Sequence, residues 1–187
     1  MKNKNKAFFK AFIENPLRTG SIVQSSPFLT ERMLKDVDFK NHKCVVEFGG
    51  GSGTFTKQIL KKINQDAVLF CFEIEPSLAK QISASIQDKR LKVICDSAEN
   101  IDIYLKKYGF EKADCIISGL PLASLPKETS KTILNQAYEY LHSGGQYIQF
   151  QYSLTSLKHL KYIFSTVSVT FVFLNLPPAF VYSCTKF

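Results

Sequence analysis

From about residue 43 the chain alternates short apolar runs with segments of helical periodicity. Residues 44–48, 67–72, 91–95, 114–118 and 146–151 are rich in β-branched and aromatic side chains, which predicts strands. Residues 54–63 and 77–86 read as helices between them; in the second, Leu78, Ala79, Ile82 and Ile86 share one face. Strands almost continuously apolar and separated by helices predict a parallel sheet covered on both faces. Towards the C-terminus the pattern changes. Candidate strands 167–174 and 179–185 are joined only by Asn175-Leu176-Pro177-Pro178, too short for a parallel crossover, so they predict an antiparallel hairpin. The expected fold is α/β: about seven strands, mostly parallel, with helices on both faces and a C-terminal antiparallel hairpin.

Residues 1–42 read differently, as two helical segments split by Pro16 and the run Thr19-Gly20-Ser21. They are expected to form an N-terminal helical segment over a main domain spanning 43–187. Phe8, Phe9, Phe12 and Ile13 fall on one helical face, with Lys2, Lys4, Lys6 and Lys10 around them. Such a helix can lie at a membrane interface or pack on the sheet edge with its lysines solvated, and the segment alone does not choose. Lys10 and Glu14 interrupt its apolar stretch and argue against a cleaved secretory signal.

Composition narrows the class. At 187 residues the chain suits one well-buried core, and no apolar run approaches the ~20 residues that span a bilayer. Cys44, Cys71, Cys95, Cys115 and Cys184 show no C-x-x-C spacing and lie in apolar runs, which reads as buried reduced thiols of a cytoplasmic protein. His42, His142 and His159 stand apart from one another, so no metal site is expected. The net charge of +8 favours an anionic partner, nucleic acid or an acidic membrane surface, without separating them.

The stretch from Val45 to Phe55, VVEFGGGSGTF, places a glycine-rich turn after the first strand. It is not a P-loop, because Lys57 follows Thr56 rather than glycine; it is not a dinucleotide fingerprint, because the third glycine is replaced by Thr54 or Thr56 in either register. What remains is E-x-G-x-G-x-G, from Glu47 through Gly49, Gly51 and Gly53. A carboxylate beside the turn repels a pyrophosphate and favours a cationic ligand. Glu73 ends the second strand and Asp96 follows the third, and ligands of open parallel sheets bind at the carboxyl ends of strands. One acid can accept from ribose hydroxyls and the other from an exocyclic amine, although Asp96 also fits a helix N-cap. S-adenosylmethionine, a cation with an amino-acid end, a ribose and an adenine, matches all three positions.

With that cofactor in view, the chain resembles class I S-adenosylmethionine-dependent methyltransferases. Four stretches carry a narrower likeness: Asn15-Pro16-Leu17-Arg18-Thr19-Gly20-Ser21-Ile22 with Ser25-Ser26, Ser118-Gly119-Leu120-Pro121-Leu122, Gln149-Phe150-Gln151-Tyr152, and Asn175-Leu176-Pro177-Pro178-Ala179. Together they resemble the bacterial phospholipid N-methyltransferases of the soluble, peripheral type, which are similar in core sequence to ribosomal RNA adenine dimethyltransferases. The resemblance implies a Rossmann-like fold, with Glu47, Gly49, Gly51 and Gly53 on the methionine half of the cofactor. It places Glu73 on the ribose, with Ile74 beside it, and Asp96, Ser97 and Ala98 on the adenine. Ser118, Gly119, Leu120 and Pro121 would lie beside the transferred methyl, and Gly20, Ser21 and Ser25 would close over the cofactor or the entering amine. Gly50 stands where the family often has proline, which loosens the turn.

For a nucleic-acid adenine the loop after the fourth strand would need Asn or Asp, then Pro-Pro and an aromatic ring, to hold the amine and stack the flipped base. Here it reads Ser118-Gly119-Leu120-Pro121-Leu122, and the chain ends at Phe187 without an added domain to grip RNA. The basic aromatic N-terminal helix, the net charge and the apolar loop 120–125 favour a lipid, although that loop also reads as core packing. The expected activity is therefore N-methylation of the ethanolamine head of a phospholipid by a phosphatidylethanolamine N-methyltransferase on the inner face of the plasma membrane. RNA adenine or a small amine is the alternative acceptor, and cofactor binding without turnover a third reading. Tyr152, by its hydroxyl or ring face, and Ser118 are the candidate catalytic residues; Tyr152 reads equally as an ordinary sheet-edge tyrosine. No obligate protein partner is evident.

Overall fold

The computed structural model describes residues 26–187, which form seven strands and six α-helices. The strands are β1 (Cys44–Phe48), β2 (Val68–Phe72), β3 (Leu91–Ile94), β4 (Ala113–Ser118), β5 (Leu141–Gln151), β6 (Thr166–Val172) and β7 (Ala179–Thr185). The helices are α1 (Pro27–Leu34), α2 (Thr54–Leu60), α3 (Pro76–Ser85), α4 (Ile101–Lys107), α5 (Lys127–Glu139) and α6 (Leu157–Ile163). All strands lie in one sheet of order β3-β2-β1-β4-β5-β7-β6. β1 pairs in parallel with β2 and β4, and β7 alone runs antiparallel, between β5 and β6. The fold is Rossmann-like, and the reversal of strand order between β1 and β4 opens a crevice at their carboxyl ends.

Alternation along each strand builds one core on each face. Val46, Phe70, Ile116 and Tyr147 point to the face covered by Ile101 and Leu105 of α4, Ile133, Leu134 and Ala137 of α5, and Leu160 of α6. Val45, Leu69, Ile117 and Ile148 point to the opposite face, beneath Leu29, Met33 and Leu34 of α1 and Phe55, Ile59 and Leu60 of α2. α1 starts where the sequence dictates: Ser26 Oγ accepts from Leu29 N at 3.1 Å and Pro27 supplies the first turn. Its buried face joins the core of the main sheet, so from residue 27 the N-terminal segment packs with the strands.

Several boundaries move. α2 stops at Leu60, and β5 begins earlier, at Leu141, which pairs with Ala113 across a register shift between Ala113 and Cys115. One expectation is corrected: Cys95 lies just past β3 and is exposed, whereas Cys44, Cys71, Cys115 and Cys184 are buried. The N-terminal helix around Phe8 to Ile13, with Gly20, Ser21 and Ser25, lies outside the described residues. Among the described residues no helix is long and apolar enough to cross a membrane.

Candidate active site

At the carboxyl ends of β1, β2, β3 and β4 lies a cleft. It brings together Gly49, Glu73, Ile74, Asp96, Ser97, Ala98 and Leu120, from the ends of four different strands. The turn after β1 is anchored by Gly49 N and Gly50 N, which donate to Phe72 O at 2.8 and 3.1 Å. Gly49, Gly51 and Gly53 have φ of +81°, +53° and +77°, a region side chains rarely adopt. At Gly51 a Cβ would meet only open space, so the turn offers bare backbone to a ligand. Gly50 is required for another reason: its Cβ would run into Cys71 Sγ and lie 2.7 Å from Ile82 Cδ1. The expectation of a loosened turn is thereby corrected, since glycine here allows the closest packing of turn against β2 and α3.

Glu73 is buried, and each carboxylate oxygen accepts one backbone N–H: Gly51 N at 2.8 Å on Oε2 and Glu75 N at 2.9 Å on Oε1. Ile74 N–H adds a third donor, and the acceptor capacity that remains on Glu73 suits a hydroxyl such as those of a ribose. Burial pushes its carboxyl above the usual range, and the N–H groups of Glu75 and Gly51 pull it back. Asp96 accepts from Ser97 N at 2.7 Å, Asn100 Nδ2 at 3.0 Å and Tyr104 OH at 3.0 Å. These contacts fix its orientation and leave capacity for one further donor, such as an exocyclic amine. It is not the cap of the turn Ala98–Asn100; that cap is Ser97, whose Oγ accepts from Glu99 N at 3.2 Å.

Glu47 departs from expectation. It does not line the cleft but lies beneath the glycine turn, 1% exposed, with Thr56 Oγ1 donating to its Oε2 at 2.7 Å. Its Oε1 has no partner among the described residues. Burial pushes its carboxyl up to about 7; the Thr56 and Cys71 hydrogen bonds lower it, and the charge of Glu73 adds to the rise. Such a group is easily ionised by a cation placed over the turn.

The loop after β4 is pinned from below. Leu120 O accepts from Gln149 Nε2 at 2.9 Å and Gln151 Nε2 at 3.0 Å, both glutamines being buried. Gln149 Oε1 accepts from Tyr147 OH at 2.6 Å, Leu120 N donates to Ser118 Oγ at 3.3 Å, and Gly119 N donates to Phe48 O at 2.8 Å. Ser118 is fully buried, so its hydroxyl positions the loop and is not exposed to an acceptor. Leu120, Leu122 and Leu125 pack into the core, the second of the two readings open for this loop, while Leu120 and Leu125 also line the cleft. Pro121 heads the turn that follows, its carbonyl accepting from Ser124 N. Tyr152 stands half-buried beyond β5, hydrogen-bonded to Asn175, its ring edge-on to Phe150 at 5.7 Å. It lies outside the lining of the cleft.

Phe72, Glu99, Leu125, Pro126, Thr129 and Ile133 complete the cleft and were not anticipated. The spacing of 129 and 133 carried the signal, since it marks one face of α5 entering the site. With Ile74 and Ala98, the side chains of Phe72, Leu125, Pro126 and Ile133 form an apolar slot ending at Asp96, a shape that suits an adenine ring with its amine.

Sheet order, glycine turn and strand-end acids define a class I methyltransferase. The ribosomal RNA adenine dimethylase family model matches residues 1–171, and the chain belongs to that family; its cofactor is S-adenosylmethionine. An ornithine lipid N-methyltransferase of Singulisphaera acidiphila is 27% identical over 179 residues, covering 95% of this chain and 93% of that protein. A ribosomal RNA small subunit methyltransferase A of Mycoplasma mycoides is 27% identical over 95 residues, 50% of this chain and 34% of that protein. In fold, an rRNA methylase from Streptococcus thermophilus superposes with a TM-score of 0.65 at 17% identity, covering 89% of this chain and all of that one.

Proposed function

We propose that this methyltransferase N-methylates the primary amine of a membrane lipid headgroup, ethanolamine first, on the inner face of the plasma membrane. The observation that carries the reading is end-to-end similarity to a lipid N-methyltransferase, against similarity to about a third of an rRNA enzyme. The loop after β4 agrees, because Ser118-Gly119-Leu120-Pro121-Leu122 offers neither an amide for an adenine amine nor a ring to stack on it. RNA adenine stays the second reading, favoured by the family's description.

The bound cofactor supplies an activated methyl group on a sulfonium, open to in-line displacement. The chain's part is placement. Glu73 and Asp96 would hold the ribose and adenine, the glycine turn the methionine end, and Glu47 would balance positive charge from beneath. The loop held by Gln149 and Gln151 would fix the acceptor's approach, and such positioning contributes most where the electrophile is already activated. The test offers labelled S-adenosylmethionine to the full-length protein with anionic vesicles containing phosphatidylethanolamine, vesicles containing ornithine lipid, and a ribosomal RNA transcript. Label in either lipid is the expected result; label confined to RNA overturns the reading.

A further inference from the structure

The turn joining β6 to β7 is built inside out. Val172 pairs with Ala179 at the base of the hairpin, and residues 173–178 project beyond it. Exposed turns ordinarily show polar side chains to water. Here the one strongly polar residue, Asn175, is 2% exposed and points inward. Its Oδ1 accepts from Ser26 N at 3.3 Å and its Nδ2 donates to Pro177 O at 2.7 Å. The apolar residues point outward: Phe173, Leu174 and Leu176 are 75%, 63% and 79% exposed. Clustered exposed apolar side chains of this kind mark an interaction surface.

Its position and charge say what it meets. Phe180, just past the turn, pairs with Gln151 at the carboxyl end of β5, so the tip projects from the same edge of the sheet as the cleft. Phe28, two residues beyond Ser26, adds another exposed ring at that end. After Glu139 the sequence contains no acidic residue, only Lys158, Lys161 and Lys186. The chain that reaches the tip at Ser26 carries Lys2, Lys4, Lys6, Lys10 and Arg18 against Glu14 alone. An apolar wedge free of acids and joined to a basic segment complements an anionic lipid surface, where bound Lys and Arg add attraction.

We propose that the β6–β7 tip is a membrane-docking wedge, with Phe173, Leu174 and Leu176 entering the headgroup–acyl boundary of an anionic bilayer so that the cleft faces the lipid amines. The proposal rests on the lipid reading of the site. It makes the acceptor class a lipid still embedded in its membrane.

The chain has no tryptophan, so Phe173→Trp gives the full-length protein one fluorophore at the wedge, and Phe187→Trp gives one at the opposite end of β7. Each is titrated with vesicles of phosphatidylcholine and phosphatidylglycerol, with and without brominated acyl chains. The expected result is a blue shift and bromine quenching for Phe173→Trp and neither for Phe187→Trp. A Phe173→Ser/Leu176→Ser variant should lose roughly tenfold or more in vesicle partition, since partition scales with the apolar area buried, while S-adenosylmethionine affinity is retained. Unquenched fluorescence at position 173, equal quenching at 187, or unchanged partition of the double variant overturns the wedge. So does a blue shift that grows with protein concentration without vesicles, the mark of a second copy on the tip. Labelled transfer in the same tubes separates the two ideas. Labelled lipid with an unquenched position 173 overturns the wedge alone; quenching with label only in RNA upholds the wedge and overturns the substrate reading.

Discussion

Replacing Glu47 by glutamine should stabilise the cofactor-free protein at alkaline pH and weaken cofactor binding there. The carboxyl rises from 4.5 to about 7 mainly because folding removes it from water. A carboxyl raised on folding contributes stability fully below its unfolded value, near 4.5; that contribution is lost as pH rises through about 7. A rise of that size corresponds to about 3 kcal/mol between the two limits. Glu47→Gln keeps the shape and lacks the titration, so its melting temperature should gain on the parent's between pH 5 and pH 8. For a chain of this length the gain is roughly 6–10 °C. Cofactor affinity should move oppositely: the parent binds S-adenosylmethionine more tightly at pH 8 than at pH 6 and releases a proton on binding below pH 7, and the variant does neither. Thermal scans against pH, with calorimetry in buffers of different ionisation enthalpy, measure both. A melting difference independent of pH refutes the buried-charge argument.

Glu73→Ala should lower S-adenosylmethionine affinity at least tenfold in calorimetry, since a hydrogen bond to a charged group is worth about 1.5–3 kcal/mol and Glu73 also fixes Gly51 N. Gln149→Leu removes one of two donors to Leu120 O and the acceptor of Tyr147 OH, at about 1–3 kcal/mol of stability for the two hydrogen bonds lost; steady-state kinetics should show lower kcat with cofactor affinity kept. Gly50→Ala should destabilise by about 1–3 kcal/mol through overpacking. Adding Cys71→Ala should restore part of that loss in denaturant melts, because Cys71 Sγ is the nearest atom the new methyl meets, the contact with Ile82 Cδ1 remaining.

What the sequence made legible depended on how local each signal was. Buried parallel strands announce themselves as unbroken apolar runs, and the acids that end β1 and β2 follow from where those runs stop. Whether a strand-end carboxylate faces a ligand or lies beneath the backbone is not local. Glu73 and Glu47 look alike in sequence, yet Glu73 faces the cleft while Glu47 is enclosed by Thr56 and Cys71. The leucines of 120–125 fit two environments, and only the packing of α5 places them in the core. The turn after β6 reads in sequence as an ordinary Asn-Leu-Pro-Pro connection. Its inverted polarity depends on a hydrogen bond between Ser26 and Asn175, 149 residues apart.

That division bears on how the family changes acceptor. The cofactor half uses backbone and carboxylates fixed by contacts among themselves: Glu73 on two N–H groups, Asp96 on three donors. In the acceptor half, the loop after β4 spends its polar capacity on holding itself. Leu120 O takes two glutamine amides and Ser118 Oγ takes Leu120 N, while Leu122 is sunk in the core. On the proposed reading, side chains so engaged would position a methyl acceptor but discriminate little between amines. Discrimination then falls to the rim, to whatever brings one kind of amine over the cleft and keeps others away. An apolar tip at the cleft's own edge of the sheet, on a chain whose last forty-eight residues carry no acid, is suited to select by location. On this argument a change of substrate class within one methyltransferase fold needs a new surface beside the site before it needs a new catalytic group.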